Sequence, residues 1–187
     1  MCSLVHVGTL LAAGLFAAAV TAAETPAPTE SEDIPVASAR VVFSPEESAQ
    51  TALIKRIDAA KIRVRVSAYH FSNTFIADAL IRARARGVDT IVILDSSHFT
   101  DKRSVGPRLI AGGVRTVIDD AHKTAHNKVT LIDGRWVLTG SYNYNWNAER
   151  RNAENLLILD SPELAKHYEA NWDAHYAHTV PFKRITE

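Results

Sequence analysis

The alternation of short apolar strands with amphipathic helices is the feature that most restricts how this chain can fold. Strand-like segments at 41–43, 63–69, 90–94 and 114–118 are separated by helical patterns at about 44–60, 74–86 and 103–111. Such alternation predicts an α/β sheet layered by helices. The first helix is expected to begin with a capping box, with Ser44 as the N-cap and Glu47 three residues later.

The pattern changes in the second half of the chain. Residues 128–132 and 135–139 read as strands that flank Asp133-Gly134, a dipeptide typical of tight β-hairpins. Residues 156–159 predict another strand, and a helix is expected from Ser161 to about residue 176. Because a hairpin is added to parallel units, the expected fold class is α/β, with a mixed β-sheet flanked by helices on both faces.

The hairpin also predicts which side chains meet. A two-residue turn would pair Ile132 with Arg135 and would therefore place His126 opposite Ser141. Since alternate side chains of a strand share a face, His126 and Lys128 would lie together across from Ser141. One end of the hairpin is thus expected to collect several polar groups.

These groups suit the chemistry of a phosphate ester. Lys128, Ser141 and Asn143 can donate hydrogen bonds to a tetrahedral oxyanion. The imidazole of His126 can serve as a nucleophile or as a general acid–base near neutral pH. Gly140 would allow the backbone to approach a ligand closely. We therefore expect attack on phosphorus.

The spacing of these residues resembles the signature of the phospholipase D superfamily: His126-x-Lys128, four residues, Asp133, six residues, then Gly140-Ser141-x-Asn143. The similarity extends over most of the predicted domain. Segments 43–49, 68–73, 82–95 and 152–159 resemble the elements of that superfamily's short bacterial endonucleases, although His70 stands where Ser is more usual.

The resemblance implies a mechanism and residue roles. His126 would attack phosphorus to form a covalent phosphohistidine, which water then hydrolyses, and a second histidine would protonate the leaving oxygen. Lys128 and Asn143 would bind the non-bridging oxygens with support from Ser141. Glu154 would be catalytic by orienting an imidazole.

Asp133 and Gly140 are assigned structural support, because Asp133 lies at the turn, where its carboxylate can bond to backbone groups. Chemistry with two histidines needs two signatures, and no second His-x-Lys-x4-Asp occurs in the sequence. The simplest arrangement is a homodimer with the active site at its two-fold interface.

A metal-dependent nuclease is the first alternative. His122 and His126 are four residues apart, and Asp119 and Asp120 lie nearby, so a cation site can be drawn. No cluster of carboxylates supports it, and Lys128 would repel a cation. We therefore expect no metal in the site and no cofactor.

The substrate is less constrained. DNA, RNA or phospholipid head groups would suit the superfamily, and a catalytically silent nucleic-acid or membrane binding module is a further alternative. Lys123, Arg150 and Arg151 could follow a nucleic-acid backbone or form a solvated charged face. Five aromatic residues near the predicted site could stack on bases or pack in the core: Tyr69, Phe71, Tyr142, Tyr144 and Trp146.

The N-terminal residues predict export. Residues 1–23 end in an uncharged apolar run and small residues, which is typical of a signal peptide, and 24–37 read as a flexible linker rich in acid and proline. A single catalytic domain is expected over 38–187, in the periplasm or secreted. An uncleaved N-terminus would instead anchor the chain to a membrane and favour phospholipid.

Composition adds two restrictions. The one cysteine, Cys2, lies in the predicted signal peptide, so neither disulfides nor thiol catalysis are expected in the exported chain. The part from Ile34 onward carries 21 basic and 17 acidic residues, a formal charge of +4. That charge is compatible with a polyanionic partner without requiring one.

Overall fold

The computed structural model describes residues 33–183. The predicted signal peptide and residues 24–32 of the predicted linker lie outside this range. Within it, eight strands form one sheet: β1 (Ser38–Ser44), β2 (Arg63–Ala68), β3 (Asp89–Asp95), β4 (Arg115–Asp119), β5 (Lys128–Ile132), β6 (Trp136–Gly140), β7 (Glu154–Asp160) and β8 (Val180–Pro181). The α-helices are α1 (Ala49–Ala59), α2 (Thr74–Ala85), α3 (Gly106–Ala111), α4 (Trp146–Arg150) and α5 (Pro162–Tyr176).

The sheet has the strand order β1-β7-β6-β5-β2-β3-β4-β8. Strands β2, β3 and β4 are parallel, whereas the remaining neighbours pair antiparallel. One face packs against α1, α2 and α3, and α5 covers the other through Ala165 and Trp172. The predicted α/β fold, with a mixed sheet and helices on both faces, is therefore confirmed, while the two-fold dimer interface stays a prediction.

The predicted start of the first helix is wrong. Ser44 ends β1, where it pairs with Glu154 of β7, and its hydroxyl donates to the Ala148 carbonyl at 2.6 Å. Helix α1 begins at Ala49 and is capped by Ser48. Pairing with β7 extends the strand through Ser44, so a tertiary contact outweighs the local capping signal.

The hairpin turn forms at the predicted dipeptide but with a different register. Asp133 and Gly134 have φ angles of 57° and 64°, as a tight hairpin turn requires. However, Ile132 pairs with Trp136, which leaves Arg135 outside the ladder. The predicted pairing of Ile132 with Arg135 is therefore wrong by one residue.

Contacts with the end of β7 explain this shift. The Arg135 guanidinium bonds to both carboxylate oxygens of Asp160 at 2.7 Å, and the Arg135 carbonyl accepts from the Ser161 N–H at 3.0 Å. The residue is therefore held toward β7 and the start of α5. Its N–H still closes the turn by donating to the Ile132 carbonyl at 3.1 Å, but the strand pairing of Ile132 passes to Trp136.

Part of the predicted linker contacts the domain. The Pro35 carbonyl accepts a hydrogen bond from the Ser161 hydroxyl at 2.7 Å, and the Ala37 N–H donates to the Asp160 carbonyl at 2.8 Å.

None of the helices within residues 33–183 combines the length and the apolar character needed to cross a bilayer.

Candidate active site

The predicted polar cluster assembles at one edge of the sheet. The carboxyl ends of the parallel strands β2, β3 and β4 lie at this edge, together with the start of β5 and the end of β6. His126, Lys128, Ser141 and Asn143 line one cavity of about 370 Å³ there. These four side chains thus come together, as the sequence predicted.

The four side chains do not come together through the predicted strand register. The observed register places Lys128 level with Gly140 rather than with Thr139. Strand β6 ends at Gly140, whose φ of +151° changes the direction of the chain, so the strict alternation of faces does not extend to Ser141. The end of the strand thus restores the cluster that the register shift alone would have separated.

Lys128 and His126 form the centre of the cavity. The Lys128 ammonium lies 3.2 Å from each ring nitrogen of His126 and donates to the His126 carbonyl at 2.8 Å. Burial lowers the pKa of Lys128, and the negative charge of Glu154 partly opposes this effect. A buried ammonium beside an exposed imidazole can bind an anion where the imidazole can reach it.

Tyr69, directly after β2, supports this pair. Its N–H donates to the Asn127 carbonyl at 2.9 Å, which extends the β2–β5 pairing up to the residue after His126. Its ring lies 4.5 Å from the His126 ring between centroids and 5.0 Å from the Lys128 ammonium. Tyr69 therefore orients the backbone and the side chains of the predicted nucleophile and its lysine.

Ser141 is held by the neighbouring strand. Its hydroxyl oxygen accepts from the Asn155 N–H at 3.1 Å and from the Asn155 amide at 3.4 Å. Because these contacts use the oxygen as an acceptor, the hydroxyl hydrogen remains to be donated to a ligand. This geometry suits an oxyanion.

Gly140 allows the same strand to approach. A Cβ at Gly140 would lie 2.3 Å from the Asn155 carbonyl oxygen and 2.7 Å from its side-chain oxygen. The close approach is therefore to β7, whereas the sequence suggested an approach to the ligand. A glycine here lets Asn155 reach Ser141.

Asn143 connects two cavities. It lines the cavity that contains His126 and a neighbouring one of about 460 Å³, which is bordered by His70, Arg103 and Trp146. Its side-chain oxygen is buried, and no hydrogen-bond partner for it exists among residues 33–183. A buried amide without a partner is rare in folded proteins, so it marks a position where a ligand or another chain can complete the site.

Glu154 lies close to this centre at the start of β7. Its carboxylate accepts from the Asn152 amide at 2.9 Å, and its charge acts on the pKa of Lys128. No hydrogen bond joins Glu154 to His126 within the described part of the chain. Its expected role in orienting an imidazole therefore stays a prediction.

Asp133 lies at the opposite end of the hairpin from His126. Its carboxylate accepts the backbone N–H groups of Lys61, Ile62 and Arg63 at 2.8–2.9 Å. These contacts fix the connection between α1 and β2 to the hairpin turn. The geometry is that of a structural residue, which does not touch the cavity.

A buried carboxylate that the sequence prediction missed supports the loop after β6. Glu149 accepts from the Tyr142 hydroxyl at 2.9 Å, from the Ser48 hydroxyl at 2.7 Å and from the Gln50 N–H at 3.0 Å. Burial, reinforced by the charge of Glu149, raises the pKa of Tyr142 well above its usual range. Because Ser48 and Gln50 lie about 100 residues away in sequence, no local pattern identified Glu149.

Apart from Tyr69, the aromatic residues near the predicted site divide into two groups. Phe71, Tyr142 and Tyr144 are fully buried and belong to the core. Trp146 is 56% exposed at the larger cavity, where Arg150 lies over its ring. Base stacking is thus ruled out for the three buried rings and remains open for Trp146.

The cation site considered in the sequence analysis consists of different residues in the structure. His122 contacts Asp119 at 3.0 Å, but the side chains that join them are His175 and His178 rather than His126. The nucleophile candidate therefore lies outside this group.

The fold and the site together define the class of phospholipase D-like domains. Residues 53–176 match the family described as cardiolipin synthase, PLD-like domain. The chain belongs to the phospholipase D superfamily, which includes hydrolases that act on phosphodiester bonds.

Relatives with different names share this domain. A phospholipase D of Rickettsia conorii is 38% identical over 130 residues, which are 70% of this chain and 65% of the relative. A mitochondrial cardiolipin hydrolase of Xenopus tropicalis is 31% identical over 128 residues, which are 68% of this chain and 60% of the relative. The chain thus spans less than two thirds of the length of these curated relatives. The solved structure of Nuc from Salmonella typhimurium, a phospholipase D family member, superposes with a TM-score of 0.74 at 31% identity, covering 78% of this chain and 98% of that one.

Proposed function

We propose that this chain is a phosphodiesterase of the endonuclease type. It would cleave DNA, RNA or both, without sequence specificity and without a catalytic metal. The proposal rests on one observation: the same cavity is lined by His126, Lys128, Ser141 and Asn143. A nucleophilic imidazole, an ammonium and two neutral donors are the groups that an attack on a phosphodiester needs.

The proposed reaction begins with His126 as the nucleophile. A ring nitrogen forms a bond to phosphorus, the bond from phosphorus to the leaving oxygen breaks, and that oxygen takes a proton from a second histidine. Lys128 and Asn143 hold the non-bridging oxygens, whose charge grows in the transition state. Water then attacks the phosphohistidine, gives its proton to the second histidine, and releases His126.

The second histidine is supplied by a second copy of the chain. The sequence carries one signature, and the buried oxygen of Asn143 lacks a partner within residues 33–183. In a two-fold dimer, the partner subunit's His126 would be the general acid and then the general base. The two copies of His126 would be equivalent until the substrate binds.

Nucleic acid fits the shape of the site. Asn143 also lines the larger cavity, together with Arg103 and the exposed Trp146, so a strand could extend beyond the scissile phosphate. Arg103 can contact a phosphate, and Trp146 can stack on a base. The likeness of the single signature to short bacterial endonucleases favours the same substrate.

Phospholipid is the second candidate, since relatives are named phospholipase D and mitochondrial cardiolipin hydrolase. The purified chain should be assayed with excess EDTA, at a temperature well below unfolding, against single-stranded DNA, duplex DNA, RNA and cardiolipin vesicles. Cleavage of nucleic acid is expected. Release of a head group with intact nucleic acid would assign the chain to the lipid branch.

The nucleophile can be tested in the same assay. His126→Ala should lose at least about 10³-fold in rate while keeping the far-ultraviolet circular dichroism spectrum, because the covalent route is removed. His167→Ala, an exposed histidine on α5, is the matched control and should retain activity. Full activity of His126→Ala would refute the mechanism, as would the failure to trap a base-stable phosphoryl group on the parent chain.

A further inference from the structure

Three histidines surround one buried carboxylate away from the proposed nucleophile. The Asp119 carboxylate, whose side chain is 1% exposed, lies 3.0 Å from His122 Nδ1, 2.9 Å from His175 Nδ1 and 3.3 Å from His178 Nε2. One potential ligand atom from each of the four residues lies within 4.8 Å of the others. We propose that these four residues form a structural binding site for a divalent transition metal, with zinc as the best fit.

The donor set favours zinc. Structural zinc sites are tetrahedral, with bonds of about 2.0–2.2 Å to imidazole nitrogen and carboxylate oxygen. Ligands of such a site are about 3.3 Å apart, and the carboxylate–imidazole contacts here fall close to that separation. Three imidazoles and one carboxylate are unsuited to magnesium or calcium, which prefer oxygen ligands.

The ligands come in two pairs with the same spacing. Asp119 ends β4 and His122 follows three residues later, while His175 lies in the last turn of α5 and His178 follows three residues later. The ring centroids of the histidines are 4.8–5.6 Å apart. No local sequence pattern joins the two pairs, because more than 50 residues separate them.

A hydrogen-bonded cluster is the competing explanation. The two Asp119 oxygens would then accept from three imidazoles and also from the His122 N–H, which lies 3.4 Å away. With a metal ion bound, one Asp119 oxygen and one ring nitrogen of each histidine would each donate a lone pair to the ion. Each of the four side chains would then make one bond to the metal. Zinc binding distinguishes the two.

The ion would connect the end of α5 to the segment that leads into the active site. His122 lies in the β4–β5 connection, four residues before His126, and the far end of that connection is held by the Ala125 N–H, which donates to Asp95 at 2.7 Å. Zinc would fix the beginning of the connection as Asp95 fixes its end. It would stabilise the fold without touching the substrate phosphate.

The experiment measures zinc binding on the full chain, produced without an oligohistidine tag and stripped with EDTA. Calorimetric titration with ZnCl₂ should give one equivalent per chain, and Tm should rise by about 5–10 °C at a 100-fold excess over Kd. His178→Ala and His175→Gln should each weaken binding at least about 10-fold. His167→Ala should bind like the parent chain.

Two outcomes would overturn the site: no zinc binding by the parent chain at micromolar concentrations, or the same affinity in the parent, His178→Ala and His175→Gln chains. The second result would identify adventitious binding elsewhere. Circular dichroism of each stripped variant excludes misfolding as the cause of a loss, and His175→Gln keeps a polar side chain if His178→Ala does not fold. None of these measurements depends on nuclease activity, so they stand independently of the proposed function.

Discussion

The Lys128 ammonium lies 3.2 Å from both ring nitrogens of His126 and 2.8 Å from the carbonyl oxygen of the same residue. The two side chains lie on the same side of the chain at the start of β5, two residues apart. The phosphate-binding charge and the proposed nucleophile are therefore positioned by one short segment. Any change to that segment should alter both binding and attack.

The charge of Lys128 should limit activity at high pH. The pKa of Lys128 is lowered, mainly by burial, so the ammonium loses its proton at a lower pH than a free lysine would. Since the charged form binds phosphate, activity is present below this pKa and falls as the pH rises through it. We expect an alkaline decline in kcat/KM that is absent in Lys128→Arg, because guanidinium stays charged.

Glu154→Gln gives a second test of this profile. The Glu154 carboxylate opposes the lowering of the Lys128 pKa, so its neutralisation should move the decline to a still lower pH. An identical alkaline decline in the parent chain and in Lys128→Arg would show that another group causes it.

A dimer with one shared active site makes a heterodimer informative. Coexpression of differently tagged parent and His126→Ala chains allows a mixed dimer to be purified. If each reaction uses both copies of His126, the mixed dimer should be almost inactive rather than half active. A mixed dimer of parent and His167→Ala chains is the control and should be fully active. Half activity in the first dimer would mean that each chain has its own site.

Gly140→Ala should destabilise the fold and disturb Ser141. The new Cβ would collide with the Asn155 carbonyl, and the residue would also adopt a φ of +151°. We expect a loss of roughly 2–3 kcal/mol in the free energy of unfolding, measured with urea. Gly87→Ala, with a φ of +88° and no atom within 4 Å, isolates the backbone effect and should cost about 1 kcal/mol. Equal losses would show that contact with Asn155 is unimportant.

Asp133→Asn should separate stability from catalysis. Asparagine tolerates the positive φ of 57° at this turn but has a single neutral acceptor oxygen for three N–H groups. We expect about 1–2 kcal/mol of lost stability and an unchanged kcat at a temperature where the variant is folded. A large fall in kcat with native stability would instead give Asp133 a direct part in the reaction.

Much of the architecture is encoded locally. Asn73 caps α2, Ser161 caps α5, and Asp133 and Gly134 adopt positive φ angles at the expected turn. Side-chain periodicity and turn residues act over a few positions, so these elements are readable without knowledge of the fold. The spacing from His126 to Asn143 is likewise local to the hairpin, and it identified the four side chains that share the cavity.

Tertiary structure decided what depends on distant partners. Pairing with β7 kept Ser44 in a strand, and Asp160 drew Arg135 out of the ladder and shifted the hairpin by one residue. Glu149 is buried where it meets Ser48, the cap of α1, and Gln50 of α1, both about 100 residues away.

The sequence by itself determined the order of the elements and the phosphate-binding signature of the hairpin. Only the folded chain brought His175 and His178 of the C-terminal region to Asp119 and His122 at the end of β4. The physical reason is range: propensity and spacing act along neighbouring residues, whereas ligand geometry and burial depend on which distant segments the sheet places side by side.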